Sequence, residues 1–409
     1  AKALGCDRRV IKLAEDARAD GKTVLLAAPS HGALGQELVD QLGVFDGVLS
    51  LGDDTDIPLL VQVEARFGAR GFVYLGPRDA YGFWNEADHI VTVGGRGDTI
   101  AMADAHPGGA THISTAPPLF SAFVRALRPH QWLKNLLIFL PVAAAQSLDA
   151  ATLLAATLAF VAFSLTASSV YVLNDLLDLR ADRAHPRKRE RPFASGALPL
   201  SYGRWMLLGL LAVGVAVGAI VGPLFLMVLA GYYLVTLLYS FGLKKRPIID
   251  ICTLAGLYTL RIVAGGAAAG IALSVWMLAF SIFLFLSLAA MKRQAELVDN
   301  LARGKSRAMG RGYASDDLVF VTQMALSSAY VSVLVMALYI NTPEVQRLYS
   351  EPAMLWAICL LLLYWLSRAV FKTHRGEMTD DPIVFATKDK VSRLTLGLMI
   401  IAAVLAATV

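Results

Sequence analysis

Cysteine is almost missing from this chain: Cys6, Cys252 and Cys359 stand alone among 409 residues. No two have the spacing of a metal or redox motif, so a zinc ribbon and a dithiol centre are excluded and the three receive no role. Charge is also scarce. Asp, Glu, Lys and Arg make up 17% of the residues, against roughly 25% in an ordinary soluble domain. Apolar residues fill the difference: 56% of the chain is hydrophobic and the mean hydropathy is +0.57, which places it among membrane proteins. The net charge is +5 and the sequence pI about 9.0, but where the cations stand matters more than their sum, and no nucleic-acid partner is expected. The chain opens at Ala1 with neither a methionine nor a signal peptide, read here as trimming upstream.

Up to about residue 105 the pattern is that of a soluble α/β domain. Short β-branched runs, Thr23 to Leu26 and Gly71 to Leu75, alternate with amphipathic helical stretches, Arg9 to Ala19 and Leu34 to Leu42. Residues 106–118, rich in Gly, Pro, Ser and Thr, read as a linker to a membrane domain over 119–409. Apolar runs follow at Leu133 to Ala145, Ala151 to Leu173, Tyr202 to Val221, Leu224 to Leu243, Ile251 to Ala269, Leu273 to Ala290, Leu318 to Ile340, Ala353 to Leu366 and Leu394 to Val409. The expected fold is therefore an all-α polytopic bundle of about nine spans preceded by a small α/β domain, each span near the ~20 residues a bilayer needs. The first, eighth and last runs are short and call for flanking residues or tilt.

Cations are distributed unevenly between the connections. Those after the second, fourth, sixth and eighth runs carry Arg180 to Arg191, then Lys244, Lys245 and Arg246, then Lys292, Arg293, Arg303, Lys305, Arg307 and Arg311, then Arg368, Lys372, Arg375, Lys388 and Lys390; the opposite connections carry only Arg347. The positive-inside rule then predicts a cytoplasmic N-terminal domain and a C-terminus on the far side.

The first of these basic connections opens with Asn174-Asp175-Leu176-Leu177-Asp178-Leu179-Arg180-Ala181-Asp182 and continues through Arg183, His185, Arg187, Lys188, Arg189 and Arg191. Steps of three and seven put Asp175, Asp178 and Asp182 on one helix face. Converging carboxylates need a cation among them. Hard oxygen ligands suit Mg²⁺, which binds through one or two carboxylates plus substrate phosphates, and the neighbouring cations would hold further phosphate charge. A second candidate stands inside an apolar run: Arg261, an ionisable group costly enough in a membrane to mark a functional site by default.

The aspartate motif at the end of the second run resembles the UbiA superfamily of intramembrane prenyltransferases, over Phe120 to the C-terminus. Within it, Arg128-Pro-His-Gln-Trp-Leu-Lys-Asn135, Tyr171-x-x-Asn-Asp175, Asp182-Arg-x-His-Pro-x-Lys-x-x-Arg-Pro192, Phe241-Gly-Leu-Lys244, Arg261-x-x-x-Gly-Gly266 and Lys292-Arg-x-x-Glu-Leu297 resemble the decaprenyl-phosphate phosphoribosyltransferase branch. That resemblance implies transfer of phosphoribose from phosphoribosyl pyrophosphate to a polyprenyl phosphate, with Mg²⁺ as cofactor. It further implies a bacterial inner membrane, a cytoplasmic site, a homo-oligomer and a downstream step supplying arabinose to an envelope glycan. The aromatic prenyltransferases resemble one another in a second aspartate-rich motif. Here the segment taken to correspond, Ile249-Asp250-Ile-Cys-Thr-Leu254, holds one acid, so a second metal site is not expected, and Lys244, Lys245 and Arg261 offer phosphate-binding cations instead.

On this reading Asn174, Asp175, Asp178 and Asp182 form the catalytic set, the three aspartates holding the metal. Lys188, Arg191 and His185 take donor phosphate oxygens; Arg128, Lys134, Lys244 and Arg261 take the lipid phosphate; Asn135, Tyr171, Asp250 and Lys292 complete the substrate contacts. Each has a structural rival. Edge acids cap helices or pair with cations, and basic loop residues serve topology. His185 is as readily structural, Lys292 and Glu296 form an i,i+4 surface pair, and Gly265-Gly266 permits close helix packing.

The first 105 residues resemble the later part of a haloacid-dehalogenase-like (HAD-like) phosphatase. Val24-Leu-Leu-Ala-Ala-Pro-Ser30 has Ala28 where such an enzyme needs a hydroxyl, and Tyr74-Leu-Gly-Pro-Arg-Asp79-Ala-Tyr81 has Pro77 and Tyr81 at its acid positions. The expectation is a degenerate domain. Two other functions stay open for the whole chain: an aromatic prenyltransferase using a polyprenyl diphosphate donor, against which Leu254 counts, and a transporter with Arg261 on an ion path, against which the gathering of charge at one face counts.

Overall fold

The computed structural model describes residues 8–28, 32–50, 59–76, 82–94, 97–113, 119–184, 188–304, 312–378 and 381–408. The chain divides into two compact units, one of residues 1–127 with 172–205, the other of residues 128–171 with 206–409.

The first unit contains the α/β region expected from the alternating pattern. Strands Leu25–Ala27 and Gly47–Leu49 pair in parallel, and Val73–Gly76, His89–Val93 and Ala110–Ile113 form a parallel sheet with His89–Val93 in the middle. Parallel neighbours require crossovers, which helices Gly32–Leu42, Phe83–Glu86 and Gly97–Asp104 contribute to, while Leu59–Phe67 connects the two sheets. Ile90 on the central strand packs with Trp84, Ala87 and Ala103, and Leu59, Val63 and Phe83 form a second small core. Of the positions that carry the HAD-like resemblance, Ala28 continues the strand pairing by donating its amide to the Leu49 carbonyl at 2.8 Å. Ser30, Pro77, Asp79 and Tyr81 lie outside the described residues.

Among the described residues eight helices are long and apolar enough to cross a membrane: Ala150–Leu177, Leu200–Val221, Pro223–Phe241, Ile249–Ala269, Val275–Ala302, Ser315–Ile340, Pro352–His374 and Lys390–Thr408. Their ends follow local rules. Ser274 caps Val275–Ala302 by accepting from Met277 N at 3.0 Å, and Gly270 closes Ile249–Ala269 in the left-handed conformation. The run expected at Leu133 to Ala145 behaves differently. It builds a 3-10 helix, Pro129–Phe139, and a short α-helix, Leu140–Ala144. Proline at positions 129 and 141 removes backbone donors, and Arg128, ahead of the first, takes φ 54°.

The 3-10 geometry has a consequence within the second unit. Residues i and i+3 eclipse each other in such a helix, so Trp132 and Asn135 both reach the Ala150–Leu177 helix, donating to Ser168 at 3.0 Å and Ser164 at 2.9 Å, serines one α-turn apart. The Ile249–Ala269 helix closes on the same segment: a Cβ on Gly265 would lie 2.0 Å from the Ile138 carbonyl oxygen. Glycine is required there by close approach, as the packing reading of Gly265-Gly266 has it.

Candidate functional site

In the first unit the aspartate motif stays helical through a break. The Ala150–Leu177 helix ends and Leu179–Ala184 begins, yet Asp178 N still donates to Asn174 O at 2.9 Å and Asp182 N to Asp178 O at 2.8 Å. Asp175 and Asp182 are both 2% exposed and turn to the same guanidinium: Arg191 Nη1 lies 3.2 Å from Asp175 Oδ1 and 2.5 Å from Asp182 Oδ2. Asp178 is half-buried, Lys188 is exposed, and His185 lies outside the described residues.

These contacts decide how well the donor set suits a divalent cation. Among the described residues no three His, Cys, Asp or Glu side chains gather into a ligand group. Two buried carboxylates within reach of one nitrogen nevertheless fit Mg²⁺, which takes one or two protein carboxylates and completes its shell with water and phosphate. Beside them the Asn174 Oδ1 atom is buried without a hydrogen-bond partner among the described residues, a further hard oxygen in need of an electropositive neighbour.

The second unit assembles the remaining candidates around Arg261, which is 5% exposed within the Ile249–Ala269 helix. Its Nε donates to Asn135 Oδ1 at 2.8 Å, Nη1 to Leu257 O at 2.5 Å and Nη2 to the Tyr232 hydroxyl at 3.3 Å. The rings of Phe163, Tyr232 and Tyr258 lie 5.2 to 5.5 Å from its Cζ. All these partners are neutral, and among the described residues no carboxylate lies within ion-pair distance of Arg261. Asn135 is 1% exposed, fixed on its other side by Ser164.

Lys134, next in sequence, is 8% exposed and passes 5.7 Å from the centroid of the Tyr258 ring. Its ammonium donates to Asp381 Oδ2 at 2.7 Å, and Lys292 donates to the same oxygen at 3.1 Å. The Tyr258 hydroxyl joins them at 3.3 Å. Asp381 caps the Pro382–Lys388 helix, its Oδ1 accepting from Ile383 N. Burial alone would push the Asp381 carboxyl up; the Lys292 and Lys134 ammonium groups override it and hold the acid well below the usual carboxylate range.

Of the other candidates in this unit, Arg128 stacks over Tyr171 with its Cζ 5.4 Å from the ring, and Lys244 is half-buried in the 3-10 turn Leu243–Lys245. Asp250, expected to contact substrate, has other partners. It is fully buried, paired with Arg293 Nε and with Arg293 Nη2 at 3.1 Å, and accepts from the Tyr239 hydroxyl at 2.7 Å. Arg293 also bonds Glu296 at 2.5 Å. So Lys292 turns to Asp381 while Glu296 takes Arg293, a different pairing from the i,i+4 pair the spacing suggested.

Sequence alone gives no site role to Asp381 or Tyr258, and it shows Arg293 only as a cation of a basic connection and a member of Lys292-Arg-x-x-Glu-Leu297. For Asp381 a signal existed: an aspartate directly before Pro382 is an N-cap followed by proline at the first helical position. Its ligation of two lysines 247 and 89 residues away has no local signature.

Comparison with known proteins agrees with this architecture. A model of the UbiA prenyltransferase family matches residues 135–388. Over 401 residues the chain is 34% identical to a Sinorhizobium fredii protein described as "Uncharacterized protein y4nM", covering 96% of this chain and 77% of the relative. Over 304 residues it is 36% identical to the decaprenyl-phosphate phosphoribosyltransferase of Mycolicibacterium smegmatis, covering 70% of this chain and 94% of the relative. A solved UbiA homolog from Archaeoglobus fulgidus, bound to DMAPP and Mg²⁺, aligns with a TM-score of 0.52 at 17% identity, covering 69% of this chain and 99% of that one. That last likeness is one of fold.

Proposed function

Because the chain belongs to the UbiA prenyltransferase family, we propose that it transfers 5-phosphoribose from phosphoribosyl pyrophosphate to a polyprenyl phosphate, releasing pyrophosphate. The observation that carries this reading is Arg261: a guanidinium buried in a membrane-spanning helix whose partners among the described residues are all neutral. A buried charge without a counter-charge is costly, and an anionic headgroup on a lipid acceptor supplies one. The name borne by the Mycolicibacterium smegmatis relative supports the same choice.

The roles follow the movement of charge. A phosphate oxygen of the acceptor attacks the anomeric carbon as the bond from that carbon to pyrophosphate breaks, so negative charge collects on the leaving group. Lys188 and Arg191 neutralise donor phosphate oxygens. Lys134, Arg261 and Lys292, with Arg128 and Lys244, hold the acceptor phosphate, which is already anionic and needs no strong general base. Mg²⁺, held by Asp175 and Asp182 with Asp178 and Asn174 beside them, would supply Lewis-acid neutralisation of the pyrophosphate. The distribution of the basic connections supports a site on the cytoplasmic face of a bacterial inner membrane. The α/β region is assigned no phosphatase step, since Ala28 has no hydroxyl to offer.

The experiment is direct. Purified protein is incubated with labelled phosphoribosyl pyrophosphate, Mg²⁺ and a polyprenyl phosphate, and the label is followed into the lipid fraction. Labelled lipid is the expected result. An unlabelled lipid beside a prenylated aromatic product, formed from a polyprenyl diphosphate, would assign the chain to the aromatic prenyltransferases instead.

A further inference from the structure

Among the described residues the cations around Tyr258 are balanced by fewer acids than they number. Lys134 and Arg261 both face its ring, at 5.7 and 5.3 Å, and Lys292 meets Lys134 at one carboxylate oxygen. Among the described residues Lys134 and Lys292 share the acid Asp381 and Arg261 has no acid partner, so three cations stand against one carboxylate, an excess of two positive charges. The acid is itself immobilised: Oδ1 is tied to the Ile383 amide and Oδ2 receives both lysines, with 8% of its side chain exposed. Lys292, 30% exposed, is the open side of the cluster. The neighbouring Arg293 is taken up by Asp250 and Glu296.

Resting on the phosphoribosyl-transfer reading, we propose that Asp381 is the positioning residue that fixes the acceptor-phosphate subsite and sets its charge, so that the subsite selects a phosphate monoester over a diphosphate. The physical basis is twofold. Two ammonium groups sharing one oxygen are held together against their repulsion, and each keeps two further N–H donors for a ligand. A phosphate monoester carries about two negative charges near neutral pH, which the excess of two positive charges neutralises. A diphosphate brings roughly one more, and in this enclosed place the surplus meets the Asp381 carboxylate. Removing that carboxylate therefore raises the cluster by one charge and releases the lysines from their common anchor.

The test uses the full chain in lipid nanodiscs with EDTA present, titrated with farnesyl phosphate and farnesyl diphosphate, with thermal melting to confirm folding. The wild type binds the monophosphate more tightly. D381N loses the preference, the ratio of the two dissociation constants moving by about tenfold toward the diphosphate, as a change of one nearby charge allows. D381E retains the charge and keeps the preference. D381N/K292Q restores the excess of two and regains it, a rescue that a purely structural role does not provide. A ratio in D381N equal to that of the wild type, an equal loss for both lipids, or failure of the double variant to recover the preference overturns the proposal. Should D381N not fold, D381E decides alone: loss of preference with the charge retained contradicts the charge-setting role. Phosphoribosyl transfer by the wild type is measured separately, so transfer with unchanged selectivity in D381N refutes only this inference, whereas absence of transfer refutes the reading beneath it.

Discussion

Arg261 and Asn135 are 126 residues apart in sequence and 2.8 Å apart in space, the guanidinium Nε donating to the amide oxygen. The bond is neutral on one side, and among the described residues no carboxylate compensates the arginine's charge. Replacing the amide by a carboxylate changes that without changing the shape. N135D should preserve or raise the melting temperature, because the buried cation gains a partner, and should weaken binding of a polyprenyl phosphate about tenfold, because the new acid competes with the ligand. N135A should instead lose about 1 to 3 kcal/mol of stability by leaving a buried donor unmet. Melting and lipid titration of the two variants separate the effects.

Arg191 shows the reverse arrangement, one guanidinium facing the two carboxylates of Asp175 and Asp182. D175N and D182N should each lower Mg²⁺-dependent transfer by at least about a hundredfold, the scale of losing several kcal/mol of charge stabilisation in the transition state. Initial rates at saturating Mg²⁺ check this. Wild-type rates in either variant would remove the pair from the metal site.

Asp250 and Arg293 make a different case, since each is at most 1% exposed and they bind each other. Breaking such a pair on one side should cost about 3 to 5 kcal/mol, and an apolar pair of similar volume should recover most of it. D250N or R293M alone is therefore expected to melt well below the wild type, while D250L/R293M melts near it and keeps transfer activity. A folded but inactive double variant would return Asp250 to the substrate contacts.

The depressed Asp381 carboxyl gives a signed pH dependence. Its folded value lies below the ordinary carboxylate value of about 4, so its stabilising contribution is complete above that value and is lost as pH falls through the folded one. Melting temperature should drop more steeply in the wild type than in D381N as pH is lowered below about 4. Between pH 5 and 8 Asp381 stays ionised and contributes no step to lipid binding.

Much of the membrane architecture could be read from composition because a long apolar run has one main solution in a bilayer, an unbroken helix. Ala151 to Leu173 became Ala150–Leu177 and Leu318 to Ile340 became Ser315–Ile340 for that reason. Leu133 to Ala145 did not, since Pro129, Pro141 and the polar pair Lys134 and Asn135 interrupt the pattern with side chains that seek partners on other helices. The aspartate motif was legible because its members are three and seven residues apart, and Arg261 because a charge stands out in an apolar run. The Asp381 anchor and the Asp250–Arg293 clamp depend on residues brought together from 43 to 247 positions away, which no local spacing records.

The central claim is that a lipid phosphate receives phosphoribose on this chain. Its most direct measurement is the appearance of radiolabel from phosphoribosyl pyrophosphate in a polyprenyl-phosphate fraction, with Mg²⁺, for the wild type and for R261M. Rapid labelling is expected of the wild type, with a loss of at least about a hundredfold in R261M, the scale on which a buried charged contact acts. Label that never enters lipid, or enters it equally fast without the Arg261 guanidinium, would contradict it.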